Sequence, residues 1–168
     1  MRFSRALATV GAAGAASIVL AAPALADWNT PTSGAISGTS LTSSLCSPTT
    51  VAGSISPNAL SLSTVNFSCA GITIPSPWSG PLSTATLAGS AAKVTLGVSV
   101  NVATPSCTYA GSVVGHLFNV SGGVELRFIN ASISKTSGGF LCPSPYTLNH
   151  TFLLNRTAGT PVLSVSYP

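Results

Sequence analysis

Charge is what this chain has least of. Only 5% of its 168 residues are Asp, Glu, Lys or Arg, against roughly 25% in an average soluble protein. The carboxylates are Asp27 and Glu125, and the histidines are His116 and His150. So few ionisable groups leave little material for general acids and bases, carboxylate metal sites or phosphate clamps. The shortage does not mean disorder. Hydrophobic residues make up 45% of the chain, whereas disorder needs low hydrophobicity with high net charge. The surface must instead be wetted by Ser, Thr and Asn.

Several motifs are missing too. No G-x-S-x-G elbow presents a serine, and a Ser–His–acid triad would have only Asp27 or Glu125 to orient its base. Paired-carboxylate glycosidase chemistry would depend on the same two residues. No C-x2-C pair occurs, which argues against a zinc site. The reading is a non-enzyme with no catalytic residue, no metal ligand and no cofactor.

What is present begins with a leader. Arg2 and Arg5 precede an Ala-rich apolar stretch containing Ile18, Val19 and Leu20, and Ala24-Leu25-Ala26 supplies an A-x-A site. Residues 1–26 therefore read as a secretory signal peptide and residues 27–168 as a single β domain. No cysteine stands at the cleavage site and no second apolar span follows, so no transmembrane segment is expected after cleavage. The expected location is secreted, extracellular or cell-envelope. Beyond the leader, Lys93, Arg127, Lys135 and Arg156 face two carboxylates, a net charge of +2. Four scattered cations make no nucleic-acid footprint and no polybasic membrane site.

Cys46, Cys69, Cys107 and Cys142 read as a disulfide framework in an exported chain. Three pairings are possible. Cys46–Cys69 with Cys107–Cys142 is favoured, because each bridge then staples strands close in sequence.

The strongest structural signal is Lys93 to Thr104. Val94, Leu96, Val98, Val100 and Val102 alternate with Thr95, Gly97, Ser99 and Asn101. A period of two places all the valines on one face of a strand. Leu60 to Cys69 is a second such strand, but its apolar parity shifts between Leu62 and Val65, which predicts a bulge. Further strands are expected at Thr49–Ser56, Thr84–Leu87, Cys107–Val114 with Leu117–Val120, Val124–Phe128, Tyr146–Leu154 and Pro161–Tyr167. Gly34–Thr42 is expected as a short edge strand. Ser56-Pro57-Asn58 and Ser121-Gly122-Gly123 mark turns. Three prolines between Gly71 and Leu82 predict a crossover ending at Trp78 rather than a central strand. About eight to ten strands and no helix argue for an all-β, disulfide-stapled antiparallel β-sandwich or flattened barrel.

His150 shares its parity with Tyr146, Leu148, Phe152 and Leu154. It reads as a ligand or base in a cavity, as a core imidazole satisfied by a backbone carbonyl, or as a residue turned outward by a bulge. The core reading is favoured. Glu125 and Arg127 share a polar face and read as a surface pair. Trp78, Tyr109, Tyr146 and Tyr167 could stack on a ligand or pack. Asn66, Asn119, Asn130, Asn149 and Asn155 each begin an N-x-[ST] sequon. The leader has a bacterial look, and a Ser/Thr-rich chain generates sequons by chance.

The order of Cys46, V-N-F-S-C ending at Cys69, I-P-S-P-W ending at Trp78, Cys107-Thr-Tyr-Ala-Gly and Cys142-Pro resembles small exported actinobacterial β proteins. More distantly it resembles the secreted activators of alkane oxidation, which implies a cell-surface or matrix role. The composition is also similar to that of disulfide-bonded actinobacterial carrier apoproteins. The expectation is a non-enzymatic structural or interaction protein, of adhesion or matrix type, with cell-envelope contact or self-association through an edge strand. The alternative is an extracellular carrier of a small apolar ligand held between the sheets. Trp78, Tyr109, Tyr146 and His150 are the candidate contacts.

Overall fold

A computed structural model describes residues 26–30, 32–42, 46–158 and 162–166. The expected signal peptide lies outside them except for Ala26, as do Tyr167 and Pro168. The described residues form eleven strands: β1 (Asp27–Thr30), β2 (Gly34–Ser40), β3 (Pro48–Ser56), β4 (Ala59–Phe67), β5 (Ile72–Thr73), β6 (Trp78–Ser83), β7 (Ala92–Val102), β8 (Cys107–Val120), β9 (Gly123–Gly138), β10 (Tyr146–Arg156) and β11 (Ser164–Ser166).

Eight of these make one closed antiparallel barrel. Going round it, β2, β3, β4, β6, β7, β8, β9 and β10 each pair with the next, and β10 pairs back with β2. It is an up-and-down meander in which, apart from the closing β10–β2 pair, each barrel strand pairs with the barrel strand next to it in sequence. Of the two architectures expected, the barrel is the one formed. Closure satisfies the alternation: each strand has one apolar face, and a sheet curled on itself buries all those faces without a second layer. Val94, Leu96, Val98 and Val100 of β7 point inward with Leu62, Leu117, Leu126, Phe152 and Leu154, all buried. Two strands contribute glycine where the interior is full. A Cβ on Gly38 would stand 2.7 Å from Leu154 and Val51, and one on Gly115 would crowd Leu126 and Phe128.

The predicted bulge is present, since Ala52 pairs with Thr64 and Gly53 with Leu62, leaving Ser63 over. Both expected hairpin turns form, with Asn58 at φ 53° in the first and Val120 opposite Gly123 in the second.

Three expectations are corrected. Gly34–Thr42 is not an edge, because β2 pairs with β3 on one side and β10 on the other. A closed barrel has no edge strands, so this segment offers none for self-association. Trp78–Ser83 is a barrel strand despite Pro81. Its ladder to β7 joins Ser79 to Gly97 and Leu82 to Val94 but skips Gly80 and Pro81, so the missing proline N–H is not required. Thr84–Leu87 is irregular and leads into the turn at Gly89.

The two ends differ. At one, β1 and β11 pair with each other and bring Trp28, Leu163 and Val165 into full burial. Trp28 Nε1 donates to the Ala59 carbonyl at 2.9 Å. Asn119, on the inward parity of β8, donates to the Val165 carbonyl at 2.7 Å and accepts from its N–H at 2.9 Å. This end is plugged. The other end carries both disulfides, Cys46–Cys69 and Cys107–Cys142, the pairing favoured from sequence.

Candidate functional site

The described residues of the stapled end come from four connections: 41–42 with 46–47, 68–77, 103–106 and 139–145. Of the four residues singled out from sequence, Tyr109 and Tyr146 meet there, while His150 makes its contacts with Ser40 and Thr42. Tyr109 is inward on β8, fully buried, and donates its hydroxyl to the Pro143 carbonyl at 3.1 Å. Tyr146 opens β10, half-buried, with its ring centroid 5.5 Å from that of Tyr109. Burial raises the phenol pKa of both, and their mutual repulsion raises that of Tyr146 further. Trp78 is elsewhere, packed inside the barrel with Nε1 donating to Ser99 O at 3.0 Å.

His150 is 3% exposed and points inward. A bulge does occur beside it, but on the opposite strand: Leu148 pairs with Ala131 and His150 with Phe128, so the extra residue lies at Ile129–Asn130. Asn130 takes φ 49° there, and its backbone N–H donates to Asn149 Oδ1 at 2.6 Å. The parity of β10 is untouched, and His150 stays in the core. The expected carbonyl partner is not its main one. Nε2 lies 2.8 Å from Ser40 Oγ and Nδ1 lies 3.0 Å from Thr42 Oγ1.

The surrounding donors assign the proton. Thr42 Oγ1 accepts from the Thr151 N–H at 3.3 Å, and its own hydrogen is available to a bare Nδ1. Ser40 Oγ accepts from the Thr42 N–H at 3.1 Å and donates to the Thr42 carbonyl. Nε2 therefore carries the hydrogen and donates to Ser40. A serine nucleophile needs the reverse, with a bare Nε2 taking the hydroxyl proton and an acid behind the ring. Here a threonine hydroxyl stands where that acid would be. The arrangement is a satisfied clamp joining β2 to β10. Burial lowers the imidazole pKa, with the nearby Pro48 carbonyl opposing in part.

Sequence reasoning missed Ser40 and Thr42. The one signal available was that Ser40 continues the inward parity of Ile36 and Gly38, since serines are too common here to stand out.

Two concavities open at this end. One is an apolar cup of about 230 Å³ lined by Ile72, Val102, Pro105, Tyr109, Leu141 and Tyr146 together with Cys46 and Cys107. The other is an open bowl of about 350 Å³ lined by Thr49 and Ser68, by Ser40, Thr42 and Ser47, and by the apolar Leu41 and Pro48. Cys46 lines the first, and Ser47 and Ser68, the chain neighbours of bridged Cys46 and Cys69, line the second. Beside the cup, Phe140 is 94% and Leu141 67% exposed.

The remaining polar candidates lie on the outer wall. Arg127 pairs with Glu125 through Nε at 2.8 Å and through its terminal nitrogen, and its guanidinium sits 4.0 Å over the Phe118 ring. His116 stands between Lys93 and Arg127 in register. Burial lowers its pKa, as does the Lys93 charge, and its buried Nδ1 has no hydrogen-bond partner. Among the described residues, no three His, Cys, Asp or Glu side chains are grouped to hold a metal, and no helix is long and apolar enough to cross a membrane. No protein-family model, curated protein or solved structure matches the chain.

Proposed function

We propose that this chain is an exported, non-enzymatic structural or interaction protein of the cell envelope or extracellular matrix, making its contacts through the stapled end. The observation that carries the reading is the Phe140–Leu141 tip. A phenylalanine 94% exposed on a connection tied down by Cys107–Cys142 loses favourable burial unless something covers it. Held rigid, it costs little further ordering when it is covered. Two disulfides fit an oxidising compartment, and the leader fits export. At the plugged end Trp28, Leu163 and Val165 are used internally, and the apolar side chains exposed there among the described residues, Val162 and Leu87, are smaller and less exposed than Phe140.

The test is retention on octyl-agarose and on isolated cell-envelope material, comparing the wild type with Phe140→Ser. The substitution should abolish most of the retention while leaving the melting temperature unchanged, since Phe140 packs on nothing. Equal retention of the two proteins refutes the reading.

A carrier role is the second reading, and the apolar cup is the observation that favours it. A ligand held deep inside the body is disfavoured, because Trp78, Tyr109, Phe152 and fully buried leucine and isoleucine side chains of the barrel strands, among them Leu62, Leu96, Leu117 and Leu126, already occupy the interior.

A further inference from the structure

We infer that the cup and bowl together form one binding site for an uncharged amphiphile, with a small apolar group in the cup and a hydroxylated head over the bowl. This rests on the stapled end being the working face, as proposed above, but it specifies a ligand rather than a surface.

Size limits the apolar part. The cup, at about 230 Å³, exceeds the roughly 150 Å³ cavity that takes a benzene ring. It falls short of the roughly 300–1,000 Å³ of a site for a whole drug-sized molecule. One ring or a short alkyl segment fills it, and the rest of the ligand must lie outside. The path outward is set by the chain. Cys46 lines the cup while Ser47, the next residue, lines the bowl, and Ser68 lines the bowl immediately before bridged Cys69. A ligand leaving the cup over this bridge arrives among hydroxyls.

The bowl's chemistry selects the head. A hydroxyl offers one donor and two acceptor positions. Thr49 Oγ1 donates to the Asn66 carbonyl at 3.2 Å, which leaves its lone pairs. Ser68 Oγ accepts from the Ser47 N–H at 3.1 Å, which leaves its hydrogen. The bowl thus presents acceptors and donors together. Among the described residues no charged side chain lines either concavity, so an ionised head would lose hydration without gaining a counter-charge. A polyol or sugar head matches donor to acceptor at no such cost.

The experiment titrates the intact, disulfide-bonded protein with octyl glucoside below its micelle concentration, octan-1-ol, octanoate and glucose. Amide NMR locates binding and calorimetry gives the affinity. Octyl glucoside should perturb Ile72, Val102 and Tyr146 together with Thr49 and Ser68, and octanol only the first group. The glucoside should bind roughly three- to tenfold tighter than octanol, the worth of one net hydrogen bond. Val102→Phe, and independently Ile72→Trp, should weaken both compounds by about tenfold in folded protein. Thr49→Val should remove only the glucoside's advantage. Phe140→Ser should leave all affinities unchanged, because Phe140 lines neither concavity, and this separates the failure of this site from the failure of the contact tip. Equal affinity for glucoside and octanol, tightest binding of octanoate, or no perturbation around the cup each overturns the inference.

Discussion

Ser40 and His150 stand 110 positions apart in sequence, yet Ser40 Oγ accepts from His150 Nε2 across 2.8 Å. The contact exists because the first and last strands of the meander, β2 and β10, are neighbours where the barrel closes. Thr42, on the other side of the ring, completes the clamp at 3.0 Å. The seam of the barrel is thus held at its stapled end by side chains as well as by the backbone ladder.

Removing one half of the clamp should cost stability and nothing catalytic. Thr42→Val keeps the shape but leaves buried Nδ1 without its donor, a loss of about 1–3 kcal/mol. Ser40→Ala should cost a similar amount. Urea denaturation measures both. A screen against ester, peptide and glycoside substrates should find no turnover that depends on Ser40 or His150. Activity lost in Ser40→Ala with the fold intact would reverse the assignment of the Nε2 proton.

The same imidazole predicts how stability varies with pH. Burial holds the His150 pKa in the folded protein below its unfolded value, which is about 6.5. The unfolded chain then binds the proton more readily, so stability rises with pH across the interval between the two values. Stability should be level above the unfolded pKa and should fall as pH drops through it towards the folded value. His116 is shifted in the same direction and adds to the slope. Denaturation midpoints from pH 8 to pH 5 should show the fall in the wild type and retain most of it in His116→Asn. A midpoint independent of pH over that range contradicts the burial argument.

The plug predicts which N-terminus the folded protein needs. Trp28 is fully buried and bonded to Ala59, only two positions after Ala26. Cleavage after Ala26 leaves it in place, and secreted material should begin Asp27-Trp28-Asn29 on N-terminal sequencing. Trp28→Ala should cost about 3–5 kcal/mol, and Asn119→Ala, which frees the Val165 backbone, about 1–3 kcal/mol. Faster amide exchange over β1 and β11 should report the first loss as early unfolding of the plugged end. A mature chain beginning beyond Trp28 would mean that the plug is dispensable.

Each disulfide closes a short loop, 23 residues for Cys46–Cys69 and 35 for Cys107–Cys142. By chain entropy, each should stabilise by about 3–4 kcal/mol. Replacing Cys107 and Cys142 by serine should also loosen the connection bearing Phe140, so amide exchange should quicken over 139–145 while the plugged end is unaffected. Non-reduced peptide mapping checks the pairing, and a Cys69–Cys107 peptide would contradict it.

Much of this architecture is decided locally. The period of two from Val94 to Val102 makes a strand of β7 in any context, because no helix would gather those valines on one face. The parity slip between Leu62 and Val65 demands a bulge, and Pro57-Asn58 and Ser121-Gly122 demand reversals between strands. Nearness in sequence was enough to favour Cys46–Cys69 and Cys107–Cys142, because bridges that close short loops join strands already adjacent in a meander. Alternation states only that one face is buried. It does not say whether that face meets a second sheet or its own far edge, and both architectures were open until β10 was found beside β2. That closure is a long-range event with no local signature. It turns Gly34–Ser40 from an edge into a seam, brings Ser40 and Thr42 onto His150, and sets the apolar cup beside the hydroxyl bowl. Pro81 and Phe140 depend on it in the same way: a skipped stretch of ladder makes the proline tolerable, and only the finished barrel leaves the phenylalanine standing in solvent.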